Sequence, residues 1–110
     1  MAPPEHPQID IDDLADAVDA GARIIDVREP DEYTSGHVPG AISVPLGTVA
    51  DHLDQFAGEG PTYVICQSGG RSQRACEFVG AHGIDATNVA GGTRAWVESG
   101  RPVVAGSRPS

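Results

Sequence analysis

Apolar residues occur along the chain in short clusters divided by Gly and Pro, and the spacing within each cluster indicates which element it builds. Residues 8–11 are enough only for a short edge strand. Asp12 then reads as a helix N-cap, with Leu14, Ala17 and Val18 as a short apolar face, Asp13 and Asp16 in the first turn, and Gly21 as the stop. Residues 23–27 (RIIDV) form a compact run of strand length. Pro30 opens a short helix through Ser35 that Gly36 ends, and Val38-Pro39-Gly40 is turn chemistry before a short strand at 41–44.

Leu46, Val49, Leu53 and Phe56 recur at helical spacing, closed by Gly58 and Gly60. Residues 62–65 (TYVI) predict a strand that delivers Cys66 at its end. After the loop Gln67, Ser68, Gly69 and Gly70, a helix is expected from Arg71 to about His82, with Ala75, Cys76, Phe78 and Val79 facing inward. A last strand at 87–90 meets Gly91-Gly92, and 93–99 predict a helix anchored in the core by Trp96. Residues 102–104 pack at most as an edge. There is no internal repeat. Short strands alternating with helices imply a single α/β domain with a small, largely parallel sheet flanked by helices, spanning 8–104 between flexible ends at 1–7 and 105–110. In such sheets ligands bind beyond the carboxyl ends of the strands, where Cys66 falls.

Composition narrows the chemistry. The 110 residues carry a net charge of −9, and Leu, Ile, Val and Phe make up only about a fifth of them, near the line for disorder, so the case for a fold rests on the pattern. There is no lysine, which excludes a Walker-type phosphate loop and Schiff-base chemistry. Residues 1–55 hold twelve acids against two arginines, and 56–110 hold four acids against five arginines, so the half with both cysteines is the one suited to an anion. An acidic chain argues against nucleic acid, and its apolar runs are too short to span a membrane. The polar, Pro-rich start lacks the marks of a secretory signal, so a cytoplasmic location with reduced cysteines is expected.

The segment CQSGGRS, Cys66 to Ser72, is the most informative. A cysteine ending a strand is often only a small buried hydrophobe. Here Ser68, Gly69 and Gly70 let the backbone turn tightly, with successive N–H groups pointing inward ahead of a helix start, and Arg71 and Arg74 follow. That combination makes an anion-binding nest, and a sulfur at its rim ionises more readily to the reactive thiolate.

Together with DVREPDEYTSGHVPGA (from Asp26) and GGTRAW (from Gly91), CQSGGRS resembles the single-domain rhodaneses in order and approximate spacing, over nearly the whole chain. The resemblance implies a rhodanese-like fold and a sulfurtransferase in which Cys66 accepts a sulfur atom and holds it as a persulfide. Gln67 to Arg71 would supply the amide cradle, with Arg71 as the arginine that ends the loop. Gln67 stands where many members have a second basic residue, which makes this pocket less positive, and Gly70 replaces a side chain that often projects into the mouth. Protein tyrosine phosphatases, and the cell-cycle phosphatases sharing this fold, place five residues between Cys and Arg; this chain has four, a smaller ring better matched to one sulfur atom than to a phosphoryl group. It also has Ile65, where tyrosine phosphatases tend to have His.

Asp26 and Arg28 match a family signature that ties loops around a strand end, and Glu32, His37 and Ser72 are read as support. Cys76 is read as core rather than as a resolving thiol for Cys66. His6, His37, His52 and His82 lack paired ligand spacing, so no metal is expected, and Ser68 is not in a serine-hydrolase elbow. No cofactor is expected. The expected partners are a small anionic donor such as thiosulfate and an acceptor that is cyanide, a thiol or a protein cysteine. The rival readings are an arsenate reductase or phosphatase on the same fold, a non-enzymatic interaction module, and a protein-to-protein sulfur carrier. Retention of Cys66 counts against the interaction module, because inactive relatives typically lose that residue.

Overall fold

The computed structural model describes residues 7–110, so the expected flexible start and His6 lie, apart from Pro7, outside the described residues. Five strands form one sheet: β1 (Gln8–Ile9), β2 (Arg23–Asp26), β3 (Ile42–Ser43), β4 (Thr62–Ile65) and β5 (Thr87–Val89). Their order is β1-β5-β4-β2-β3 and every pairing is parallel. The helices are α1 (Ile11–Asp19), α2 (Pro30–Ser35), α3 (Gly70–Ala81) and α4 (Gly92–Glu98).

Side chains alternate across a strand, so neighbours in β2 and β4 enter opposite layers. Ile25 and Val64 face α3 in one core with Val27, Cys66, Ala75, Cys76 and Val79. Ile24 and Ile65 face the other way, into a core with Leu14, Tyr33, Val89 and Trp96. Burial on both faces is why Ile24-Ile25 and Val64-Ile65 are adjacent apolar pairs rather than an alternation of apolar and polar residues. The two central strands β4 and β2 are in register from Arg23–Thr62 to Asp26–Ile65, which brings Asp26 and Cys66 to the same edge of the sheet.

Several elements differ from expectation. The N-cap of α1 is Asp10, not Asp12: the Asp10 carboxylate accepts from the Asp13 N–H at 2.9 Å, so Ile11 is already helical and β1 stops at Ile9. Residues 46–55 form a 3₁₀ segment, not an α-helix, and it breaks at His52 (φ −133°, ψ 33°). The Thr48 hydroxyl donates to the Pro45 carbonyl, which satisfies the backbone locally and competes with α-helical pairing. Phe78 is 39% exposed rather than inward. The buried stripe of α3 is Ser72, Ala75, Cys76 and Val79, and Phe78 lies off it, against the His82 ring.

Val104 makes one antiparallel bridge to His37 and joins no strand of the sheet. Residues 105–110 lie outside helices and strands, yet they make backbone bonds: Gly106 N–H donates to Thr34 and Gly40 N–H to Pro109, each at 2.9 Å. His37 is buried, stacked on Tyr33, and its ring nitrogens lie 2.8 Å from the carbonyls of Tyr33 and Arg108.

Candidate active site

The loop begins where β4 ends. Val27 N–H donates to the Ile65 carbonyl, and two amides at the start of α4 hold the next two carbonyls: Thr93 N–H to Cys66 at 2.8 Å and Arg94 N–H to Gln67 at 3.0 Å. Only glycine can sit beneath this junction. A Cβ on Gly92 (φ +60°) would lie 2.5 Å from the Cys66 carbonyl oxygen and 2.6 Å from that of Gln67. Gly69 (φ +116°) then turns the chain and caps α3, which starts at Gly70, one residue earlier than expected.

Cys66 is 1% exposed. Its Sγ accepts from the Gly69 N–H at 3.1 Å and lies within donating reach of the Ser72 hydroxyl at 3.3 Å. Burial pushes the thiol up, but the Ser72 hydroxyl and the amides of Ser72, Gly69 and Ser68 oppose it, and the net result is a thiol below its ordinary range. Cys76 has no such donors, and burial pushes its thiol up to about 12. The two cysteines sit in one core with opposite acid–base character, and both are free thiols.

The cations around the loop are mostly spoken for. Arg71 makes a two-pronged ion pair with Glu32, 2.7 and 2.9 Å. Arg28 is buried against Asp26, donates to the Gly36 carbonyl at 2.8 Å and reaches the Gln67 side chain at 3.4 Å. Asp26 also accepts from the Arg28 N–H at 3.0 Å, so this pair braces the turn after β2 against the Cys66 loop. Arg94 pairs with Glu98 on the surface. Backbone amides and the Ser72 hydroxyl, rather than unpaired guanidinium charge, are therefore the donors beside the sulfur.

Two open clefts flank the loop. One, of about 410 Å³, is lined by Ser68, Gly69, Gly70, Gln73 and Asn88. The other, of about 430 Å³, is lined by Arg28, Glu32, Gln67, Thr93 and Arg94. Asn88 is a site residue that sequence reasoning passed over: it is buried on β5 with its side-chain oxygen 2.5 Å from the Ser72 hydroxyl. The available signal was an amide in a run otherwise suited to a buried strand. Among the described residues, no three His, Cys, Asp or Glu side chains gather to hold a metal.

The chain has known relatives. Residues 10–99 match the family model described as a rhodanese-like domain. A sulfurtransferase of Allochromatium vinosum is 31% identical over 93 residues, which cover 84% of this chain and 85% of the relative. A thiosulfate sulfurtransferase of Pseudomonas entomophila is 32% identical over 77 residues, covering 69% and 71%. The crystal structure of a rhodanese-related protein from Thermoplasma volcanium superposes with a TM-score of 0.83 at 31% identity, covering 90% of this chain and 98% of that one. Two Bacillus subtilis relatives are longer, and the match spans 50% and 60% of their lengths.

Proposed function

The chain belongs to the rhodanese-like domain family, and from that premise we propose that it is a sulfurtransferase working through a persulfide on Cys66. The observation that carries this reading is the Cys66 sulfur itself: a thiol drawn toward the thiolate by the Gly69 amide and the Ser72 hydroxyl at the end of β4.

In the first half-reaction the Cys66 thiolate attacks the outer sulfur of a thiosulfate-like donor. A sulfur–sulfur bond forms to Cys66, the donor's own sulfur–sulfur bond breaks, and sulfite leaves with the electron pair. The terminal sulfur of the Cys66 persulfide then carries the negative charge, which the amides of the loop from Gln67 to Arg71 would receive. In the second half-reaction an acceptor nucleophile (cyanide, a thiol or a protein cysteine) attacks that outer sulfur and releases the Cys66 thiolate. Two half-reactions sharing one covalent intermediate give ping-pong kinetics, with no cofactor in the scheme.

A thiol this enclosed suits a donor that offers a single sulfur atom at its tip. The four residues between Cys66 and Arg71 support sulfur over phosphoryl transfer for the same reason of space. Arg71 and Arg28 would hold the loop's shape and temper its charge, each through its carboxylate partner. Residues 8–104 are the proposed working domain, and a cytoplasmic location is proposed with it; no helix among the described residues is long and apolar enough to cross a membrane.

Intact-mass analysis after thiosulfate treatment tests the reading. Wild type should gain one sulfur atom that cyanide or a reductant removes, Cys66→Ser should gain none, and Cys76→Ser should behave as wild type. An unchanged wild-type mass, or an adduct on Cys76, would refute it.

A further inference from the structure

The Ser72 hydroxyl has one proton to give and three acceptors within reach: Asn88 Oδ1 at 2.5 Å, the Gly69 carbonyl at 3.2 Å and Cys66 Sγ at 3.3 Å. Ser72 is fully buried and Asn88 is 3% exposed, so protein groups must settle the direction of that proton. If the proton goes to Asn88, a Ser72 lone pair faces the sulfur, an arrangement that can accept from S–H but repels a thiolate. If it goes to the sulfur, two oxygens 2.5 Å apart would face each other with no proton between them, which is untenable for the Asn88 oxygen.

A half-turn of the Asn88 carboxamide resolves the conflict. Its nitrogen then donates to Ser72 Oγ, and Ser72 donates to Sγ. Among the described residues little opposes the turn: Asn88 Nδ2 otherwise bonds Gln8 Oε1, at 3.5 Å, and the exposed Gln8 amide can turn with it. The Asn88 backbone stays put, because its N–H donates to the Pro7 carbonyl at 2.8 Å within the β1–β5 pairing. We infer that Asn88 is a positioning residue for the Cys66 nucleophile, its carboxamide aiming the Ser72 proton away from the thiol and toward the thiolate. The inference rests on the proposed function only in taking Cys66 as the nucleophile. Ionisation sends the Cys66 proton to solvent; Ser72 keeps its own and merely redirects it.

The charged groups facing Cys66 are Arg71 with Glu32 on the α3 side, and Arg28 with Asp26 behind Gln67 at the end of β2; Cys76 on α3 is a neutral thiol. All remain in the test variants. The experiment is the rate of Cys66 alkylation by iodoacetamide against pH, located by mass spectrometry, for wild type, Asn88→Asp, Ser72→Ala and the double variant. A carboxylate at position 88 only accepts, so it should keep the Ser72 proton and slow alkylation at neutral pH about tenfold, the scale of one hydrogen bond to a charged group. Ser72→Ala should do the same, and the double variant should be no slower than either single one. An unaltered Asn88→Asp profile, or equal slowing with and without Ser72, would overturn the inference, the latter by showing a through-space charge effect.

A second measurement needs no substitution. In wild type the Asn88 side-chain amide NMR signals should move with the midpoint of the Cys66 alkylation profile, and signals that ignore it would also overturn the inference. Neither readout uses a sulfur donor. Loss of sulfur loading with this coupling intact therefore counts against the proposed function alone, and loss of coupling with loading intact counts against Asn88 alone.

Discussion

Arg71 and Glu32 stand 39 residues apart in sequence and close a two-pronged ion pair beside the Cys66 loop. The pair joins the start of α3 to α2, so the arginine that ends the loop is fixed in place and largely neutralised. Hydrogen bonding from Arg71 holds the Glu32 carboxyl down at about 2. Its folded value lies below its unfolded one, so the stabilisation is fully present above pH 4.5 and is lost as pH falls from there toward 2.

Removing the Glu32 charge should therefore cost little stability and alter the chemistry. Both side chains are about one-third exposed, so Glu32→Gln should lower stability at pH 7 by only about 1 kcal/mol. Its amide oxygen can still serve the Glu29 N–H at the start of α2. The freed Arg71 should speed the thiosulfate half-reaction, whereas Arg71→Ala should slow it. Stopped-flow loading rates for the two variants check this, and rates that move in the same direction would count against it.

The two thiols should separate cleanly by pH. Cys66, held below its ordinary range by the Ser72 and loop donors against the upward push of burial, should alkylate near neutrality, while Cys76 should stay unlabelled until the protein unfolds. Their linkage signs are opposite. Cys66 ionises more easily folded than unfolded, so its contribution grows as pH rises toward 9. Cys76 holds its proton to about 12 when folded but would lose it near 9 when unfolded, so stability should fall with pH across that window. Denaturant midpoints measured from pH 7 to 11 should decline less in Cys76→Ala than in wild type; parallel curves would exclude the effect.

Gly92→Ala should damage fold and site together. The added methyl meets the carbonyls of Cys66 and Gln67, and the positive φ alone costs about 1–3 kcal/mol. Relief requires α4 to withdraw from the loop, which breaks the Thr93 and Arg94 amide bonds to it. Thermal unfolding and sulfur loading should both suffer. A Tm within about 2 °C of wild type would disprove the close approach.

Much of the fold was legible because local signals agreed with tertiary demand. Pro30 and Gly36 bound α2, TYVI became β4, and the Gly-rich turn after Cys66 led into α3. Where a side chain chose between neighbours, local reading failed. Asp10 and Asp12 are both competent caps, and only the end of β1 selects Asp10. Phe78 is apolar enough for the core, yet the stripe through Ser72, Ala75, Cys76 and Val79 leaves it outside. Arg71 could be read as a charge near the sulfur, but its partner Glu32 could not be found without knowing that the parallel sheet brings α2 and the start of α3 to the same end, where the two side chains meet.

Local chemistry along the chain specifies that Cys66 directly follows β4, that a short glycine-rich turn comes next, and that a helix begins within a few residues of it. These are properties of neighbouring residues, governed by φ freedom, apolar spacing and capping. The tertiary structure alone decided which distant groups converge on that turn. Parallel pairing of β5 with β4 brings Asn88 to Ser72, the docking of α4 requires a glycine at position 92, and the packing of α2 brings Glu32 to Arg71. Hydrogen-bond direction and charge neutralisation depend on separations of about 3 Å between residues far apart in the chain, and no local pattern encodes such distances.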